Sequence, residues 1–287
     1  MIGEVCSSAS LGALGVINKY QLPLVSPAAT SPALTIEGDM FFRTVPSDRY
    51  QGMFDARQML AEGVVNCVIA STSDSYGQEL AYNFIAAYTR DGGRAHPIEL
   101  PPGGDKNASA VVDAVREEGA DGVFLATNDM QWSADVIKAV REANLTIGVT
   151  IFGGDSLMDG TVPALIGAAA AAGVRGSEVA PGSPEFQAAF QEFTAGRNIS
   201  FVAKAAHAYD AAVALMEAFA RAEEPKTGPQ IAAALSKVKF AGESGPIEFD
   251  ESGDLKFDQS NSTAYYTILE YFPDGSMGPE AKESWRP

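Results

Sequence analysis

Residues 64–71 read VVNCVIAS. Apolar, β-branched and small residues fill this run with little polar alternation, the pattern of a strand buried on both faces of a sheet. Working outward, residues 76–90 read as a helix with Leu80, Phe84 and Ala87 on one face, stopped by Asp91-Gly92-Gly93. Residues 94–100 read as a second strand. Asn107 then caps a helix running to Glu118, which Gly119 ends. Residues 122–126 give a third strand, 132–143 a third helix and 146–152 a fourth strand. Strands alternating with helices in this way imply a parallel sheet covered on both faces.

The flanks have a different rhythm. Upstream, residues 2–5, 22–26 and 40–44 read as short strands and 8–20 as a helix. Downstream, three helices are expected over 184–195, 201–222 and 228–238. A hairpin is expected from 246–250 and 255–257, and a last strand over 263–272. Neither flank completes a fold by itself. The expected architecture is therefore α/β, with two Rossmann-like lobes built on mostly parallel sheets and joined by several chain crossings that act as hinges. The first lobe takes residues 1–46 and 178–260, and the second takes 47–177 and 261–287.

Composition narrows the function. The 287 residues carry a net charge of -17. A nucleic-acid partner needs clustered Lys and Arg, and an anionic membrane surface would repel such a chain. The acidity reads as solubility. No apolar run reaches the length of a membrane span, and residues 1–5 lack the pattern of a signal peptide, so export is expected to be encoded upstream. Two cysteines, Cys6 and Cys67, do not make a disulfide scaffold or a zinc site.

Catalytic motifs are not found. His96 and His207 read as surface or packed histidines. Gly242-Glu243-Ser244-Gly245-Pro246 resembles a serine-protease nucleophile loop but reads as a turn, because the rest of that pattern is missing. No dinucleotide, phosphate-loop or metalloprotease motif occurs, and no cofactor or metal is expected. The informative residues lie at strand ends. Ser7 and Ser8 open a helix, where exposed N–H groups suit a carboxylate, although the spacing alone favours plain N-capping. Ser26-Pro27-Ala28-Ala29-Thr30 follows a strand and either turns the chain or offers carbonyls and a hydroxyl to a ligand. Asp155 follows the fourth strand of the middle lobe, where a carboxylate can pair with an ammonium. Asp74 and Tyr76 stand where that lobe's first strand gives way to its helix.

Read together, these segments resemble the type I periplasmic binding proteins, in the leucine/isoleucine/valine-binding branch of ABC-transporter receptors. The matching words are Gly3-Glu4-Val5-Cys6-Ser7-Ser8, the stretch 23–35 (PLVSPAATSPALT), Phe42-Arg43-Thr44-Val45-Pro46-Ser47-Asp48, Asp74-Ser75-Tyr76-Gly77, Ala208-Tyr209-Asp210-Ala211 and the stretch 245–254 (GPIEFDESGD). The resemblance implies that Ser7 and Thr30 hold a ligand's α-carboxylate. It implies that the carbonyl of Ala28, with Thr30 and Asp155, holds its ammonium, and that Tyr76 and Phe201 line the side-chain pocket. It also implies that the family's first βα units are absent, so that the first lobe is incomplete and Cys6 lacks its disulfide partner. Thr127-Asn128-Asp129 stands where the family has an aromatic, which puts a purely aliphatic ligand in question.

The expected function is capture of a small amino acid or amide by hinged closure of the lobes. The expected partners are that ligand and the membrane permease subunits of an ABC transporter, with the receptor acting as a monomer in the periplasm or at the cell surface. Rival expectations are a sensor of the same fold coupled to signalling, a truncated receptor, and an amide-processing enzyme.

Overall fold

A computed structural model describes residues 1–100, 107–143, 145, 148–197, 199 and 202–279. The chain divides into two compact units. Met1–Tyr50 and Val179–Tyr266 form the first, and Gln51–Glu178 and Thr267–Pro287 form the second.

The first unit opens with helix α1 (Ser7–Tyr20) and two short strands, β1 (Leu24–Ser26) and β2 (Phe41–Arg43). These strands pair in parallel, with Val25 opposite Phe42. The strand expected over residues 2–5 is reduced to a single bridge from Ile2 to Val25, because the chain turns at once into α1. Ile17, Leu24, Ala29, Leu34, Met40 and Phe41 form a small buried core beneath α1.

The second unit starts with α2 (Asp48–Ala61), which bridges the boundary, and then alternates strand and helix. Its order is β3 (Asn66–Thr72), α3 (Ser75–Arg90), β4 (Arg94–Leu100), α4 (Ala108–Glu118), β5 (Gly122–Ala126), α5 (Met130–Glu142) and β6 (Thr150–Gly153). Two short helices, α6 (Thr161–Ile166) and α7 (Ala168–Ala171), lead to β7 (Arg175–Val179). The sheet runs β4, β3, β5, β6, β7 and is completed by two later strands. The pairs from β4 to β7 are parallel, with Cys67 opposite both Ala95 and Gly122. Residues of β3 divide between its faces: Val68 and Ala70 join a core with α4 and α5, while Cys67 and Ile69 join one with α2 and α3. Burial on both sides is why this strand reads as a continuous apolar run. Pro97 is tolerated because β4 is the sheet edge, where a missing N–H breaks no ladder.

Back in the first unit, α8 (Pro184–Thr194), α9 (Lys204–Arg221) and α10 (Gly228–Leu235) precede the hairpin β8 (Lys239–Gly242) and β9 (Gly245–Glu248). The hairpin lies earlier than the sequence suggests: residues 249–257 keep only one bridge, Phe249 to Leu255. Strands β10 (Tyr266–Tyr271) and β11 (Met277–Pro279) pair antiparallel and extend the large sheet on the side of β7. The fold is thus α/β with a mostly parallel central sheet, as the sequence implies.

Candidate ligand-binding site

In the first unit the stretch 26–31 is fixed by its own side chains and by its neighbours. Ser26 Oγ donates to the Glu4 carbonyl at 2.6 Å and accepts from the amides of Ala28 and Ala29. Pro27 cannot donate, so the chain leaves β1 here and folds into a serine turn. Ser7, 4% exposed, occupies the first turn of α1, but it does not cap the helix. Cys6 takes the N-cap position without a side-chain bond. The Ser7 hydroxyl instead accepts the Ser31 amide at 3.1 Å, which ties the helix start to the residue after Thr30. Of the two sequence readings for Ser7, the structure leaves no capping role. Ala28 and Thr30 are both buried, and the Thr30 carbonyl accepts the Asp48 amide at 2.9 Å. The structure therefore gathers Ser7, Ala28 and Thr30 onto one loop and one helix start.

Arg43 underlies this loop, and sequence reading assigned it no role. It is fully buried in β2. Its Nε and Nη2 grip the Asp254 carboxylate at 2.7 Å each, and Nη1 donates to the carbonyls of Ala29 and Ser31 at 3.3 and 3.0 Å. Only the word Phe42-Arg43, an arginine inside an apolar strand, signalled it.

In the second unit Tyr76 and Asp155 meet directly. Asp74 caps α3 by accepting the amides of Tyr76 and Gly77, which makes it a structural residue. Tyr76 then projects from the first turn and its hydroxyl donates to Asp155 Oδ1 at 2.8 Å. Both side chains are buried. The strand order reverses at β3, which lies between β4 and β5, and such a switch point is where open α/β sheets take ligands, beyond the strands' carboxyl ends. Gly154 makes the approach possible: a Cβ there would lie 2.7 Å from the Tyr76 hydroxyl and 2.6 Å from Leu80 Cδ2. The turn Asp155–Met158 is held from behind by Tyr271, whose hydroxyl donates to the Leu157 carbonyl at 2.7 Å and accepts the Gly160 amide at 3.0 Å. Burial pushes that phenol up to about 12. Asn128, from the segment that departs from the family's aromatic, accepts the Ser156 hydroxyl at 2.6 Å. Asp129 caps α5 through the Trp132 amide. Phe201, the other expected wall residue, lies outside the described residues.

The remaining polar candidates have structural partners. His96 meets Asn66 and Glu118, and His207 Nδ1 faces the Thr44 carbonyl at 2.7 Å. The Gly242–Pro246 segment is the turn of the β8–β9 hairpin, and Asp210 clamps it by accepting from the amides of Glu243 and Ser244 and the Ser244 hydroxyl. Burial raises the Asp210 carboxyl above the usual range even against those three donors. Both cysteines are free, Cys6 exposed and Cys67 buried. Among the described residues no His, Cys, Asp and Glu cluster is placed to hold a metal ion, and no helix is long and apolar enough to cross a membrane.

Comparison with known proteins fits this geometry. The family described as the receptor family ligand binding region matches residues 1–260. Metabotropic glutamate receptor 4 of Macaca fascicularis is 29% identical over 173 residues, which is 58% of this chain and 19% of that receptor. The chain thus matches about a fifth of that relative's length. The Leu/Ile/Val-binding protein BraC3 of Rhizobium johnstonii is 28% identical over 261 residues, covering 86% of this chain and 70% of that protein. Among solved structures, a leucine binding protein LivK from Thermotoga maritima superposes with a TM-score of 0.83 at 25% identity, over 98% of this chain and 78% of that one. The chain belongs to the receptor ligand-binding-region family, and its fold is that of the type I periplasmic binding proteins.

Proposed function

We propose that the chain is the extracytoplasmic solute-binding subunit of an ABC transporter and captures an amino acid or related amide. The first unit offers hydroxyl donors at Ser7 and Thr30 and the Ala28 carbonyl. The second offers the Asp155 carboxylate beside Tyr76. A zwitterion has one group for each set, its carboxylate for the hydroxyls and its ammonium for the carbonyl and Asp155. The observation that carries the reading is the buried pair of Tyr76, beside the switch point, with Asp155 after β6, because a carboxylate held at a ligand position calls for a cationic group. Hinged capture follows if both sets must be engaged for the bound form to be stable. A monomeric receptor in the periplasm or at the cell surface would then pass the ligand to membrane permease subunits. Phe201 is retained as a proposed wall residue.

A thermal-shift screen of the purified chain against amino acids, amides and aromatic acids tests this. A ligand at 100 times its dissociation constant stabilises the folded state by about 2.7 kcal/mol. A rise in midpoint with zwitterionic amino acids, absent with their decarboxylated or deaminated analogues, supports the assignment. A cooperative melt that none of these compounds moves would overturn it. A second reading, a sensor coupled to signalling, is favoured by the glutamate-receptor match. Finding that the ligand-loaded chain binds no permease in reconstituted vesicles would turn the argument toward it.

A further inference from the structure

Arg43 carries an inference beyond the ligand contacts. A guanidinium has five N–H donors and no acceptor. All five are directed at named partners: Nε to Asp254 Oδ1, Nη2 to Asp254 Oδ2 and to Thr35 Oγ1 at 3.0 Å, and Nη1 to the carbonyls of Ala29 and Ser31. Thr35 closes the ring by donating to Asp254 Oδ2 at 2.7 Å. The two carbonyls gripped by Nη1 belong to the residues on either side of Thr30. Asp254 is supplied by a separate segment, which Asp250 folds by accepting the amides of Ser252 and Asp254. Gly253 brings that segment against β2: it has φ +74°, and a Cβ on it would fall 2.1 Å from the Phe41 carbonyl oxygen. The Arg43 amide donates to the Gly253 carbonyl at 3.0 Å. The nearby 29–35 stretch and the distant Asp254 segment thus converge on one buried cation in β2, and the element whose backbone it grips is the loop of the proposed head-group subsite.

We infer that Arg43, held by Asp254 and Thr35, is a positioning residue that sets the backbone of Thr30 for ligand binding without touching the ligand. A planar fork reaches two carbonyls and a carboxylate at once, whereas an ammonium with three donors and no plane does not. Coupling of Arg43 to the loop would therefore be lost in Arg43→Lys even though the charge remains. The inference rests on the proposed role of Thr30, and the experiment separates the two.

Two measurements on the full chain test it. The first needs no ligand: amide hydrogen exchange in Arg43→Lys and in Thr35→Val, a milder change that keeps the Arg43–Asp254 pair. Exchange at Ala29 and Ser31 is expected to quicken at least tenfold, with the amides of α9 unchanged. Unchanged exchange at those two amides in both variants overturns positioning. The second is a calorimetric double-mutant cycle with Thr30→Ala, using as probe whichever of L-leucine, L-isoleucine and L-valine the unaltered chain binds most tightly. Arg43→Lys is expected to weaken binding about tenfold or more, and to add less than twofold once Thr30 is alanine. Effects that multiply mean Arg43 acts independently of Thr30 and overturn the inference. A Thr30→Ala variant that binds as the unaltered chain does overturns the site reading instead. If none of the three probes binds, the exchange measurement decides alone.

Discussion

Removing the Tyr76 hydroxyl gives a sharp test of the proposed role of the Tyr76–Asp155 pair. Tyr76 is 4% exposed and packs in one buried cluster with Leu80, Phe84 and Phe124. Tyr76→Phe keeps the ring in that cluster and deletes only the donor to Asp155 Oδ1 at 2.8 Å. A hydrogen bond to a charged group contributes about 1.5–3 kcal/mol, and a buried acceptor deprived of a donor loses a similar amount. At about 2–4 °C per kcal/mol for a chain of this size, the unliganded variant should melt about 3–12 °C lower. The assay is calorimetric unfolding of Tyr76→Phe, Asp155→Ala and the double variant. Because the two groups touch, the cycle should show a coupling of at least about 1 kcal/mol, well above the ~0.5 kcal/mol scatter of independent sites. Additive effects would refute the view that Tyr76 holds the carboxylate. A ligand ammonium arriving at Asp155 supplies the missing donor, so the deficit should shrink when the variant is melted with saturating amino acid.

Gly154→Ala should lower stability by about 1–3 kcal/mol, because its Cβ would intrude on Tyr76 and Leu80. The same variant should weaken binding of an amino acid in a calorimetric titration, and unaltered affinity would argue against the placement of Asp155. Asp210→Ala removes the acceptor of three bonds at the β8–β9 turn. It should destabilise by about 2–4 kcal/mol, at about 1 kcal/mol or more per lost bond, and a denaturant midpoint equal to the unaltered chain would show the clamp to be idle. Asp39 gives a pH signature. Burial raises its carboxyl to about 6, with the nearby Asp254 charge adding to the shift. The folded chain therefore holds this proton more tightly than the unfolded chain. The stabilisation is present below about pH 4, is lost as pH rises to about 6, and is flat above. Asp39→Asn should flatten the melting midpoint across that window, and an unchanged slope would exclude Asp39 as its source.

The parallel sheet was legible because β3 and β5 are buried on both faces, so their runs are apolar without alternation. The parts that were not legible bury polar residues. Helix α2 turns Asp48, Gln51 and Asp55 inward along with Ala56 and Met59, so no apolar stripe announces it. Strand β7 reads Arg175-Gly176-Ser177-Glu178-Val179 and is nevertheless largely buried; Ser177 accepts from the Gln51 amide nitrogen at 2.9 Å. The hairpin was displaced because Asp210, thirty-odd residues upstream, fixes the turn at Glu243-Ser244, a contact that local turn chemistry does not contain. For the site, the strand-end positions of Tyr76 and Asp155 were visible, but their mutual hydrogen bond was not. It depends on Gly154, whose role is to leave space, and an omitted side chain gives no pattern to read. Ser7 left two readings open for the converse reason: a serine at a helix start looks like a cap, and only the tertiary contact from the Ser31 amide shows that its hydroxyl is used elsewhere.

The Thr30 loop of the first unit and the Tyr76–Asp155 pair of the second are held by different physics, which bears on how the proposed ligand contacts would set affinity. The loop carrying Thr30 is held by hydrogen bonds to Ser26 and Ser7 and by a buried guanidinium whose donors are saturated. Removing one partner of such a pair costs far more than the pair contributes net, because the other charge is left buried. A loop tied in this way has few alternative conformations near the native energy. If this loop binds ligand as proposed, its ordering is completed during folding, and preorganisation raises affinity by cutting that cost. Asp155 is different: on the proposed reading a ligand ammonium would share or compete for its bond with Tyr76. On the proposed site assignment, discrimination falls mainly on the ligand's cationic end, which Asp155 would meet. Ligands lacking that group should therefore lose more affinity than ligands whose carboxylate is replaced by an amide, which still offers an oxygen to the hydroxyls of the first unit.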